Sequence, residues 1–232
     1  MRVRLVVAYD GTNYHGWQIQ NNAISVEEVL QNALRELLRE PVELIGASRT
    51  DAGVHAQGNV AVFDTDTRIP AEKIAIAVNQ RLPEDIRVMK SEQVEETFHP
   101  RYAVSEKTYE YHISNVPIQL PTERLYSYFV YLPLDIKKMQ KAAQLFIGEH
   151  DFAGFCSAKS QVQTTVRTIY QCEVEKRGPQ ICIRVTGSGF LYNMVRIIAG
   201  TLVEVGLGRR DISTVEQAIS KADRALAGPT AP

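Results

Sequence analysis

What this chain lacks narrows what it can be. None of its 232 residues falls in an apolar run approaching the roughly twenty that cross a bilayer, so no membrane span is expected. The opening "MRVRLVVAYDG" has a short apolar stretch followed by Tyr-Asp-Gly instead of a cleavage site, which does not read as a secretory signal. Cysteine is scarce. Cys156, Cys172 and Cys182 form an odd set without a C-x-x-C pair, which argues against both a disulfide framework and a zinc site. A reduced, cytoplasmic protein is expected. The five histidines, His15, His55, His99, His112 and His150, are scattered and include no H-E-x-x-H, so no metal site is expected. There is no P-loop and no G-x-S-x-G elbow. "EVGLGRR" reads as the glycine end of a helix. An excess of positive charge is also missing: 26 Lys and Arg stand against 27 Asp and Glu. Composition therefore leaves nucleic-acid binding undecided. It leaves room for a local basic groove built from clusters such as Arg2/Arg4, Arg101/Lys107, Arg167/Lys176/Arg177 and Arg209/Arg210.

What is present alternates between strand and helix signals. "VRLVVAY" reads as a strand closed by Asp10-Gly11. "SVEEVLQNALRELLRE" reads as a helix with a capping box at Ser25 and Glu28 and a staple between Ile24 and Val29. Val26, Leu30, Ala33, Leu34, Leu37 and Leu38 line one of its faces. "VELIG", "NVAVFDT" and "IRVMKSE" read as strands, with a helix from Pro70 to about Arg81 between the last two. In the second half "KTYEYHIS" is a strand with Tyr109, Tyr111 and Ile113 on one face. A helix is expected from Asp135 to Ile147, stopped by Gly148. "TTVRTIYQCEVEKRG" and "QICIRVTGSG" form a hairpin turning at Arg177-Gly178-Pro179. "FLYNMVRIIAGTLVEVGLG" reads as one long helix, and a last helix follows Asp211. The class is α+β: two β-α-β-β halves, residues 1–104 and 105–232, sharing an extended antiparallel sheet flanked by helices.

The chemistry concentrates in "GASRTDAGVHAQGNV", Gly46 to Val60. A carboxylate, Asp51, sits between two short strands, with Arg49, Thr50 and His55 nearby and Gly46 and Gly53 freeing the backbone. The plain alternative is an Asx-turn before Gly53. Tyr109 lies mid-strand, where a tyrosine is commonly a sheet-face aromatic. Arg196 lies inside the apolar "LYNMVRIIAG". A buried guanidinium needs an anionic partner, unless it snorkels to the surface. Asp51 is one carboxylate that could meet that need.

These residues carry a resemblance. "SRTDAGVHA" closely resembles the signature "GRTDAGVHA" of the bacterial tRNA pseudouridine synthases of the A family, with Ser48 in place of the first glycine. "AYDGTNYHGWQIQ", "NQRLPEDI", "FHPRYAVSEKTYEYHI", "GEHDFAGFC" and "GFLYNMVRIIAGTLVEVG" resemble further motifs of that family, in the same order. The similarity covers essentially the whole chain. Relatives continue past "RALAGPTAP" with a segment like x-x-GLxLxxVxY, so a further strand is expected beyond it.

The resemblance implies isomerisation of uridine to pseudouridine in the anticodon stem-loop of tRNA, at positions 38, 39 and 40. Asp51 is then the essential carboxylate, attacking either the ribose or the uracil ring. Arg196 pairs with it and keeps it ionised. Tyr109 stacks on the uracil and assists proton removal at C5. Arg49, with His55 beside it, holds the flipped nucleotide. The implied partners are tRNA and a second copy of the chain, as a homodimer, and no cofactor is implied. Two other readings stay open: a non-catalytic RNA-binding protein on the same scaffold, and a hydrolase using Asp51 with His55.

Overall fold

The alternating residues of "RVRLVVAY" form β1 (Arg2–Tyr9), with Val3, Leu5, Val7 and Tyr9 turned inward and fully or nearly buried. The computed structural model describes residues 1–103, 106–157 and 163–232. Helix α1 (Val26–Leu38) begins where Ser25 accepts the backbone N–H of Glu28 at 3.3 Å. Ile24, the residue expected to staple onto Val29, is 60% exposed. The "VELIG" strand shrinks to β2 (Ile45–Gly46), followed after the Asp51 loop by β3 (Ala56–Asp64), α2 (Ala71–Val78) and β4 (Ile86–Val94). Helix α2 starts behind Pro70, whose missing N–H costs nothing there, and ends before the expected Arg81.

The second half opens with β5 (Lys107–Ser114) and the short β6 (Tyr128–Phe129). Asp135 caps α3 (Ile136–Ala143) by accepting from Lys138 N at 3.0 Å, and a 3-10 turn carries the chain on to Phe146. Then come β7 (Gly148–Asp151), β8 (Val166–Arg177), β9 (Gln180–Gly187), α4 (Met194–Gly206) and α5 (Ile212–Ser220). The β8–β9 hairpin turns where expected, with Gly178 at φ +58°. Helix α4 starts later than its apolar pattern implied. Asn193 takes a left-handed φ of +60°, so "FLYN" lies outside the helix.

The α+β class holds, and hydrogen bonding gathers the strands into two sheets. One has the order β2-β3-β1-β4, all antiparallel, the arrangement of a β-α-β-β-α-β unit. The other has the order β6-β5-β9-β8-β7, antiparallel except for the β5–β6 pair. The chain divides into two compact units, Met1–Val104 and Ser105–Pro232. In the first, the inner face of β1 packs with Leu30 and Leu34 of α1 and Ile74 and Val78 of α2. In the second, Ile181, Ile183 and Val185 pack with Met139, Phe146, Ile197, Ile198 and Leu202. Each such side chain contributes about 1.5–3 kcal/mol when fully buried. Among the described residues no helix is long and apolar enough to cross a membrane.

Candidate active site

Asp51 is partly buried in the loop between β2 and β3, and its backbone closes the turn. Its carbonyl accepts from Val54 N at 3.2 Å, with Gly53 at φ +78° in the position where such a turn needs positive φ. The loop lies on the segment that follows β1. Trp17 N donates to Thr50 O at 3.2 Å, and Gly53 N donates to Tyr14 O at 3.2 Å. The Tyr9 and Thr50 hydroxyls share a hydrogen bond of 2.7 Å. Asn59 Nδ2 donates to Ser48 O at 3.2 Å, and Ala47 N to Val60 O at 2.7 Å.

Two glycines allow this close approach. A Cβ on Gly16 would stand 2.2 Å from Thr50 O, and one on Gly46 would stand 2.2 Å from Trp17 Nε1. Tyr14 is itself held, its hydroxyl donating to Asp85 Oδ1 at 2.6 Å. Burial, with that bond, pushes the Tyr14 phenol above its usual range, so it remains a protonated donor.

His55 stands at the far end of the loop, with Nδ1 at 3.0 Å from both Gly11 N and Asp10 Oδ1. One ring nitrogen serves one of these at a time: neutral and unprotonated it accepts from Gly11, and protonated it donates to Asp10. Asp10 Oδ1 also accepts from Thr12 N at 3.0 Å and Thr12 Oγ1 at 2.6 Å. Arg49 is exposed. Thus Arg49, Asp51 and His55 share one loop of the first unit.

Tyr109 and Arg196 belong to the second unit. Tyr109 lies on β5 and packs edge-on against Phe190, with ring centroids 5.0 Å apart. Arg196 lies in the first turn of α4 and is partly buried. Its Nε donates to Ala231 O and its Nη1 to Asn193 Oδ1, both at 2.9 Å. Both are neutral acceptors. Asn193 is fixed in turn, its Nδ2 donating to Ser157 Oγ at 2.9 Å. On the same strand as Tyr109, burial pushes the Tyr111 phenol upward against the opposing pull of Arg196.

The sequence reading singled out the loop but not its bed. Tyr9, the stretch from Tyr14 to Trp17, and Asn59 come from three places in the chain, and only a glycine beside a tryptophan hinted at close packing. A second grouping was also missed. Glu110, His112 and Cys182 bring ligand-type atoms within 4.8 Å of one another, because His112 pairs with Cys182 across β5 and β9. Arg184 occupies Glu110 Oε1 at 2.6 Å and holds that carboxyl below the usual range. The groups lie on an exposed sheet face and are mostly solvated.

Comparison with known proteins bears on all of this. The family model for tRNA pseudouridine synthase matches residues 5–103 and 142–232. A tRNA pseudouridine synthase A from Thermoanaerobacter sp. (strain X514) is 50% identical over 230 residues, covering 99% of this chain and 94% of the relative. One from Ruminiclostridium cellulolyticum is 52% identical over 232 residues, covering 100% and 95%. A solved Cbf5-Nop10-Gar1 complex aligns at a TM-score of only 0.34 and 16% identity, over 86% of this chain and 54% of that one, too slight a likeness to argue from. The family match spans most of the chain and the identity to these relatives runs nearly end to end, so this chain belongs to the tRNA pseudouridine synthase family.

Proposed function

We propose that this chain converts uridine to pseudouridine in tRNA, with Asp51 as the catalytic carboxylate. The observation that carries this reading is identity of about half, over nearly the full length, to relatives named tRNA pseudouridine synthase A. The anchored Asp51 loop supports it from the side of geometry, since a catalytic group must be held in one orientation to act.

The reaction moves one bond. The glycosidic bond from uracil N1 to ribose C1′ breaks, the base turns, and C5 bonds to C1′. C5 gives up its proton, and a proton is returned at N1. Substrate and product have the same atoms and oxidation level, so acid–base and nucleophilic groups suffice. In this reading Asp51 forms a transient covalent adduct with the ribose or the ring and then leaves. Tyr109 lies against the uracil face and assists removal of the C5 proton. Arg196 pairs with the carboxylate and favours its ionised form. Arg49 and His55 hold a nucleotide flipped out of the stem-loop, on the 3′ side of the anticodon arm.

The tRNA body is gripped through phosphates by local basic patches, offered twice by a homodimer. Sedimentation at one chain mass, 26.0 kDa, would remove the dimer from this account.

The test is tritium release from tRNA labelled at uridine C5, by the wild type and Asp51→Asn side by side. Release by the first and none by the second is expected, with tRNA binding kept by both. Turnover by the variant would sink the assignment of Asp51. Binding without release by either would favour an RNA-binding module.

A further inference from the structure

The Asp51 loop is set by a carboxylate that does not belong to it. Glu27 lies in the first turn of α1 and is only 7% exposed. Both of its oxygens are turned inward. Oε1 accepts from Trp17 Nε1 at 3.2 Å and Oε2 accepts from Ile19 N at 3.0 Å. Its own N–H donates to Trp17 O at 3.0 Å. The helix N-terminus favours negative charge there, which eases the burial of a carboxylate.

Every group Glu27 fixes in this way belongs to the segment under the loop. Trp17 is 2% exposed and is the only tryptophan of the chain. Its indole fills the space over Gly46, at the point where the loop leaves β2. The backbone N–H of Trp17, not its indole, donates to Thr50 O at 3.2 Å, and Gly16 beside it closes on the same oxygen. Thr50 directly precedes Asp51.

We infer that Glu27 is a positioning residue. Acting through Trp17, it fixes the Thr50–Asp51 peptide and hence the direction in which the Asp51 carboxylate is offered. The inference rests on the reading of Asp51 as the catalytic group. Replacing Glu27 by an apolar side chain strands two donors, the Trp17 indole N–H and the Ile19 N–H, each at a cost in stability, so stability must be read beside rate. A hydrocarbon at position 27 fills the volume but removes the acceptor of both the Trp17 indole N–H and the Ile19 N–H, and with it the bonds that fix the direction of this segment. The sheet and the apolar faces of α1 and α2 stay intact. A shift of about 1 Å in a reacting group is enough to cost on the order of a hundredfold in rate.

The experiment compares tritium release from C5-labelled tRNA by the wild type, Glu27→Leu, Glu27→Gln, Trp17→Phe and Asp51→Asn, together with Trp17 fluorescence. Glu27→Leu is expected to lower kcat by about 30- to 100-fold with KM changed less than about twofold, and to shift the Trp17 emission. Glu27→Gln, whose one amide oxygen accepts from the indole while its NH2 faces the Ile19 N–H, is expected to restore part of kcat relative to Glu27→Leu. Trp17→Phe is expected to lower kcat similarly, and adding Glu27→Leu to it should cost little more, as coupled residues do. If Glu27→Leu does not fold, Trp17→Phe and Glu27→Gln carry the test. Full kcat in a folded Glu27→Leu or in Trp17→Phe, with Asp51→Asn inactive, overturns the inference. So does a loss in which kcat and KM change together in step with melting temperature. An active Asp51→Asn instead overturns the reading beneath it.

Discussion

Tyr9 and Thr50, 41 positions apart in sequence, join their hydroxyls at 2.7 Å, and Thr50 directly precedes Asp51. Tyr9 ends β1 with its ring in the core at 4% exposure and 5.9 Å from the Trp17 ring, and its phenol tip reaches the loop. Tyr9→Phe keeps the packing and deletes that tip. One buried hydrogen bond is worth about 1 kcal/mol, and if the loss falls on the placement of Asp51 it corresponds to roughly a fivefold lower kcat. Single-turnover tritium release would measure it. An unchanged rate would mean that the Thr50 carbonyl contacts suffice to place the loop.

Gly46→Ala should be far more damaging than an exposed glycine change. The added methyl would meet Trp17 Nε1 at 2.2 Å and Cε2 at 2.7 Å, and the buried indole has no room to retreat. Overpacking of this kind costs about 1–3 kcal/mol. In a chain of this size the expected drop in melting temperature is roughly 3–10 °C. Gly178→Ala, in a hairpin turn with nothing within 4 Å, bears only the φ penalty and serves as the comparison. Equal melting of the two variants would show that Trp17 yields.

Thr201 ties α4 to the segment that follows α5. It is fully buried, donates to Ile197 O at 2.7 Å and accepts from Gly228 N at 2.8 Å. Gly228 could not carry a side chain there, since a Cβ would stand 2.6 Å from Thr201 Cα. Thr201→Val is close in shape but strands the Gly228 N–H, at a cost of about 1–3 kcal/mol. Hydrogen exchange at the Gly228 amide should accelerate by at least about tenfold. Protection equal to wild type would count against the bond.

The thiols should separate by pH and by access. Cys172 is fully buried, and burial pushes its thiol up to about 12. Burial raises Cys182 as well, but it is only partly covered. The thiolate is the reactive form, so a raised pKa slows reaction at neutral pH and the rate climbs as pH rises. Iodoacetamide labelling read by mass spectrometry should find Cys182 first, faster at pH 9 than at pH 7. Cys172 and the buried Cys156 should label only after unfolding. Early labelling of Cys172 would reveal local opening of β8.

Features decided within a few residues were legible in the chain itself. Ser25 and Glu28 announce α1, because a cap is a bond between neighbours. Arg177-Gly178-Pro179 announces the β8–β9 turn, because positive φ selects glycine. The loop around Asp51 stood out by its residue types, and its family by motif order.

What the chain did not disclose depends on partners distant in sequence. The two-residue strand β6 exists only because β5 lies beside it, and the short β7 because β8 does. Glu27 and Gln31 are polar and stand outside the apolar positions assigned to α1 from the sequence. Both are nevertheless buried, because Trp17 and the Leu44 N–H supply the donors that make burial affordable. The sequence by itself determined the class, the family and the residue types of the loop, since these follow from local propensity and pattern. Tertiary structure alone decided what holds Asp51 in place, because its supports come from Tyr9, Tyr14, Trp17 and Glu27, brought together only once the sheet and α1 have packed.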